Sequence, residues 1–168
     1  MYARRSSMSF ELRNHPCSLI CIMGTVQLRN ELFLPKLIEL IGEGHTVTIT
    51  ARGNSMNPFI RNNRDKLVFS AFTEVKTGDV VLAEISQGTY VCHRIVSIDG
   101  DMITMRGDGN TVGTEQCPLS SVRAILTAVV RGGKTYYIST SRTWKAYSWL
   151  WMHLLPLRRY LLAVYRRL

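Results

Sequence analysis

From Thr46 onward, apolar and polar residues alternate with a period of two. Residues 46–51, 66–71, 80–85, 89–98 and 102–105 each read as a strand, because successive side chains of an extended chain face opposite ways. Turn residues separate them at Asn62-Asn63, Gly78-Asp79, Gln87-Gly88 and Asp99-Gly100. Two more strands, residues 122–130 and 135–140, flank Arg131-Gly-Gly-Lys134. Many short strands joined by local turns predict a mainly β fold, an antiparallel barrel or coiled sheet. On either side the period lengthens to that of a helix. Leu34, Leu37, Ile38 and Ile41 predict a short N-terminal helix, with Pro35 in its first turn and Gly42 or Gly44 at its end. Tyr147, Leu150, Trp151, Leu154, Leu157, Leu161 and Val164 predict a C-terminal helical tail that Pro156 divides.

Composition narrows this reading. A chain of 168 residues with 46% hydrophobic and 20% charged residues suits one folded domain and excludes a disordered or collagen-like chain. Charge is uneven. Up to Cys117 there are as many acidic as basic residues, whereas no acid follows Glu115 and the whole formal +9 belongs to the C-terminal third. That pattern describes a neutral body with a basic tail, and no nucleic-acid partner is expected. Cys17, Cys21, Cys92 and Cys117 form neither a zinc pattern nor a disulfide framework, which points to a reducing, cytoplasmic setting with no metal and no cofactor. Arg4-Arg5 precedes an apolar stretch, but Glu11, Arg13, Asn14 and Pro16 interrupt it and no small-residue cleavage site follows. The expected organisation is a disordered leader over 1–26, a domain over 27–141 and a basic amphipathic tail over 142–168.

The sharpest local feature is Arg52-Gly53-Asn54-Ser55-Met56-Asn57-Pro58, a Gly-Asn turn that presents a serine directly after a strand. A serine held on such a turn has rigid backbone around it and N–H groups aimed at one spot, which acyl transfer needs. The same turn equally suits a serine that only bonds its own backbone. Downstream come His93, inside an otherwise apolar strand, and Asp108 in Arg106-Gly107-Asp108-Gly109-Asn110. Serine, base and carboxylate on consecutive strand ends can converge in a folded sheet. Taken singly, His93 also reads as a satisfied core histidine, and Asp108-Gly109 as a tight hairpin turn.

Gly53-Asn54-Ser55-Met56-Asn57-Pro58-Phe59, Lys76-Thr77-Gly78-Asp79-Val80-Val81-Leu82, Cys92-His93-Arg94-Ile95-Val96 and Met105-Arg106-Gly107-Asp108-Gly109-Asn110 follow one another in a telling order. Together, over about residues 45–130, they resemble the signal peptidase and LexA-type repressor superfamily of serine peptidases. The resemblance implies the coiled β fold of the signal peptidases, Ser55 as nucleophile, His93 as general base and Asp108 as the acid that orients it. A histidine base, where bacterial signal peptidases and LexA-type repressors carry lysine, is similar to the endoplasmic-reticulum signal peptidases. Histidine as a residue type titrates near pH 6.5, so it takes a serine proton at neutral pH without the large shift a lysine needs. Gly53 departs from the pattern, because signal peptidases usually carry a serine there whose hydroxyl is implicated in the oxyanion hole. The Ser55 N–H, with the Asn54 side chain as a substitute, is the expected oxyanion donor, and Met56 and Pro58 are the candidate substrate contacts.

These readings combine into an expected serine endopeptidase. Neither Ala-Gly nor Cys-Gly, the bonds at which LexA-type repressors cleave themselves, occurs in the chain. Cleavage in trans of a leader or signal-like peptide through a Ser55 acyl-enzyme is therefore the expected activity. Its alternative is a catalytically weak or inactive peptide-binding module of the same fold. The tail either lies on an anionic membrane at its inner face or packs on the body or a partner. A peptide or protein precursor is the expected partner.

Overall fold

The computed structural model describes residues 10–13, 30–154, 157–165 and 167. Within the stretch expected to be a leader, β1 (Phe10–Arg13) forms a strand that pairs antiparallel with β2 (Thr46–Thr50). Residues 1–9 and 14–26 of that leader lie outside the described residues. Helix α1 (Asn30–Gly42) begins far enough upstream that Pro35 lies inside it rather than in its first turn, and there its missing N–H removes only the bond to Glu31. Leu37 and Ile41 are buried while Leu34 and Ile38 pack beside them, so the helical spacing read along the chain is the face that enters the core.

The remaining strands are β3 (Lys66–Ser70), β4 (Val80–Ser86), β5 (Thr89–Asp99), β6 (Met102–Arg106), β7 (Glu115–Pro118), β8 (Val122–Arg131) and β9 (Lys134–Tyr137). All pair antiparallel in one sheet of order β1-β2-β3-β8-β4-β5-β6-β7, which coils without closing. Strand β8 holds it together. One edge of β8 takes β3, and the other takes β4 near its start and β9 near its end.

Strand β4 is the seam between two cores. Val80 and Leu82 enter a cluster with α1, β2, β3 and β8, whereas Val81 and Ala83 enter a second cluster with Ile95, Ile103, Met105 and Cys117. A strand buried on both faces must be apolar at successive positions, which is why Val80-Val-Leu-Ala83 breaks the alternation seen elsewhere.

Two helices, α2 (Arg142–His153) and α3 (Arg158–Tyr165), end the described chain. Ser141 caps α2 by accepting from the Trp144 N–H at 3.1 Å. Trp144, Ser148 and Trp151 recur at helical spacing and face the body, where the Trp144 and Trp151 rings meet Phe59 edge-on at 5.9 and 5.6 Å. One face of the tail therefore packs on the sheet domain. Its other faces leave Tyr147, Trp149, Leu150, Leu157 and Leu161 exposed.

Candidate active site

Ser55 sits on the loop that joins β2 to β3. Gly53 takes φ of +91°, a left-handed conformation that strains any residue with a Cβ, and its N–H bonds the Asn62 side chain at 3.2 Å. The Asn54 carbonyl accepts from the Asn57 N–H, and the Asn54 side-chain oxygen accepts from the Asn57 amide at 3.3 Å. Asn54 thus serves the turn, as its type commonly does. Asp65, fully buried, closes the loop. It accepts from the Arg61 N–H at 2.9 Å, from Arg64 at 2.8 Å and from Arg131 at 2.8 Å, while Arg131 also reaches the Phe59 carbonyl at 2.6 Å. Burial alone pushes the Asp65 carboxyl up, but these hydrogen bonds overcome it and hold the group well below the usual carboxylate range. Ser55 therefore stands on backbone locked from both ends.

His93 lies in β5 and is buried, and its Nδ1 faces Oε2 of Glu115 at 2.9 Å. Glu115 opens β7, a strand absent from the alternation read along the chain because Glu115-Gln-Cys-Pro118 is short and mostly polar. Here the structure departs from expectation. Asp108 does not meet His93: its two oxygens take the Arg94 guanidinium at 2.9 and 2.7 Å, and both residues are only 1% exposed. Adjacent residues of a strand point to opposite faces, so His93 and Arg94 each select a different carboxylate. The Arg94 face is sealed further by α2. Arg94 donates to Ser148 Oγ at 3.0 Å and to the Gly78 carbonyl at 2.8 Å, and Trp151 Nε1 donates to the Asp108 carbonyl at 3.1 Å.

The loop bearing Asp108 touches the nucleophile loop directly. The Gly109 N–H donates to the Ser55 carbonyl at 2.7 Å. A Cβ on Gly107 would come within 2.5 Å of that carbonyl oxygen and 3.1 Å of His93 Nε2, so only glycine lets the three meet. Ser55 and His93 then line one cavity of about 190 Å³, together with Gly53, Met56 and the Tyr90–Cys92 segment. That is below the several hundred Å³ of a typical small-molecule site. Pro58 does not join it, lining instead a groove under α2. Among the described residues, neither the Ser55 hydroxyl nor its N–H makes a hydrogen bond, so Ser55 and His93 share the cavity without being bonded to each other.

Other candidates for the chemistry fall away on position. Burial, reinforced by the Asp108 carboxylate, pushes the Cys92 thiol up to about 12, so it lines the cavity as a protonated group. Lys66 and Lys76, the lysines nearest the strands of the site in sequence, are exposed, and neither lines this cavity. Among the described residues, no three His, Cys, Asp or Glu side chains cluster as metal ligands.

Set against families of known proteins, residues 21–130 match the family model described as Peptidase S24-like. The match contains all four segments on which the resemblance rests. No curated protein matches the chain.

Proposed function

The chain belongs to the Peptidase S24-like family, and from that premise we propose that it is a serine endopeptidase acting through Ser55, His93 and Glu115. The observation that carries this reading is the 2.9 Å contact between His93 Nδ1 and Glu115 beside a serine with an uncommitted hydroxyl. His93 Nε2 takes the Ser55 proton as Oγ attacks the scissile carbonyl, and the Ser55 N–H donates to the oxyanion. Glu115 accepts from Nδ1–H, fixing the tautomer that leaves Nε2 basic and stabilising the imidazolium that forms. His93 then returns the proton to the leaving amine, and water, activated by the same histidine, releases the acyl group.

Where the peptide lies follows from an open edge. Strand β6 pairs β5 only from Arg94 to Asp99, so among the described residues nothing pairs that edge over Thr89–His93. Of these, Tyr90–His93 line the cavity together with Arg52 and Gly53. An extended peptide adding to this edge presents its carbonyl to Ser55 and one side chain to the cavity, which suits a leader or signal-like segment cut in trans.

A second reading is a peptide-binding module without turnover, and Gly53 favours it. Its left-handed φ of +91° suits glycine, so the chain carries no side-chain hydroxyl at the position where the resembling signal peptidases have one. A fluorophosphonate probe separates the two. Labelling that maps to Ser55, vanishes in Ser55→Ala and slows in Glu115→Gln supports the peptidase, whereas peptide binding with no labelling supports the module.

A further inference from the structure

We propose that the outer face of α2 and α3 is a docking surface for an anionic lipid bilayer. This stands apart from the assignment of Ser55. The tail's inner stripe, Trp144, Ser148 and Trp151, is spent on Phe59, Arg94 and the Asp108 loop. What remains outside is a second apolar surface. Tyr147, Trp149, Leu150, Leu157, Leu161 and Val164 are each more than 40% exposed. Tyr147 and Leu150 of α2 and Leu161 of α3 also line one apolar groove of about 610 Å³ together with Phe59, Trp144 and Trp151. Soluble monomers rarely leave so much contiguous apolar surface in water without a use for it.

Charge selects the occupant. No acidic residue follows Glu115, so nothing on either helix repels an anion. Arg142 and Lys145 on α2, Arg159 on α3 and Arg167 just beyond it are exposed. Basic side chains beside exposed Trp, Tyr and Leu describe a helix lying in the headgroup region, where aromatic rings take the interface and cations meet phosphate. A protein partner would need acids facing each of these cations, whereas an anionic bilayer supplies negative charge at any spacing. Among the described residues no helix is long and apolar enough to cross a membrane, which fits contact in the plane of the interface. Because α2 also holds Arg94 and the Asp108 carbonyl, a bilayer bound there lies against the back of the catalytic loops.

The test is sedimentation of the full chain with vesicles of phosphatidylcholine alone or with 30% phosphatidylglycerol, at about 0.05 and 0.5 M salt. Binding to the anionic vesicles is expected to exceed binding to the neutral ones and to weaken in high salt. Arg159→Gln with Arg167→Gln is expected to lower it roughly thirtyfold at low salt. Trp149→Ser with Leu157→Ser, which touches none of the inward stripe, is expected to abolish it while the melting temperature holds. Absence of binding to anionic vesicles overturns the proposal. So does binding that these outer-face variants leave unchanged, or a dimer in solution that Trp149→Ser with Leu157→Ser dissociates while vesicles are ignored.

Discussion

His93 and Arg94 are neighbours on one strand, yet they stand in opposite kinds of site. His93 meets Glu115, whose side chain is 29% exposed, beside the cavity that Ser55 lines. Arg94 meets Asp108 in a pocket closed by Phe59, Ser148 and Trp151, both partners 1% exposed. The contrast separates two uses of an ion pair. On the proposed mechanism, the pair whose proton comes and goes is the one left partly open, whereas the pair that only positions a loop is buried with every geometric constraint available. The two meet at one spot, because the Asp108 loop donates to the Ser55 carbonyl while His93 lines the same cavity as Ser55; in the mechanism we propose, His93 receives the Ser55 proton.

The comparison breaks most visibly at Glu115. Glu115→Gln is expected to lower kcat/KM on a cleaved peptide by about 10³–10⁴-fold, since His93 then loses its tautomer and its counter-charge, with little change in thermal melting. The opposite signature is expected at Asp108. Asp108→Ala strands the buried Arg94 charge, with Arg158 near enough to repel it, and should cost about 3–5 kcal/mol in a denaturant titration. If Asp108→Asn folds normally and loses rate as Glu115→Gln does, the orienting role returns to Asp108.

Gly107→Ala tests where the two regions touch. Its methyl group would sit 2.5 Å from the Ser55 carbonyl, so a loss of roughly 1–3 kcal/mol is expected together with slower probe labelling, as Ser55 is pushed from His93. Asp65 offers a third carboxylate for comparison. Its folded pKa lies below its unfolded one, so its contribution is complete above pH 4 and drains away as pH falls toward the folded value. Asp65→Asn should therefore be less stable than the parent at pH 6 and show a shallower loss between pH 4 and pH 2. The smallest effect is expected at Trp151→Phe, which keeps the ring against Phe59 but removes the bond to the Asp108 carbonyl. About 1 kcal/mol should go from stability, with the pH dependence of cleavage unchanged.

Much of this was legible along the chain. Alternation, and in β4 an unbroken apolar run, placed β2 to β6 and β8 to within a residue or two, because each buries one face in a core and β4 buries both. The order of the four segments pointed to the family that the match to residues 21–130 shows. The failures have physical reasons. Strand β7 went unread since four residues with one buried cysteine carry no period, and Glu115 went unread with it. Asp108 was paired with His93 on the strength of resemblance, although the adjacent arginine was in plain view and a carboxylate can serve only one face of a strand. The sequence left open whether the tail lies on a membrane or packs on the body, and the inner side of α2 packs on the body, with Ser148 accepting from Arg94 and Trp151 donating to the Asp108 carbonyl.

The sequence by itself determined the local quantities: which segments extend, which coil, where the turn that presents Ser55 falls, and that every surplus cation lies in the last third. Those follow from side-chain period and from the torsional freedom of single residues, both of which act over a few positions. Only the tertiary structure decided partnership. Whether Asp108 or Glu115 stands behind His93 depends on which strand pairs β6, and whether Trp151 faces lipid or the Asp108 carbonyl depends on the roll of a helix more than forty residues away. No spacing encodes these choices, because they are made by the burial of whole faces at once.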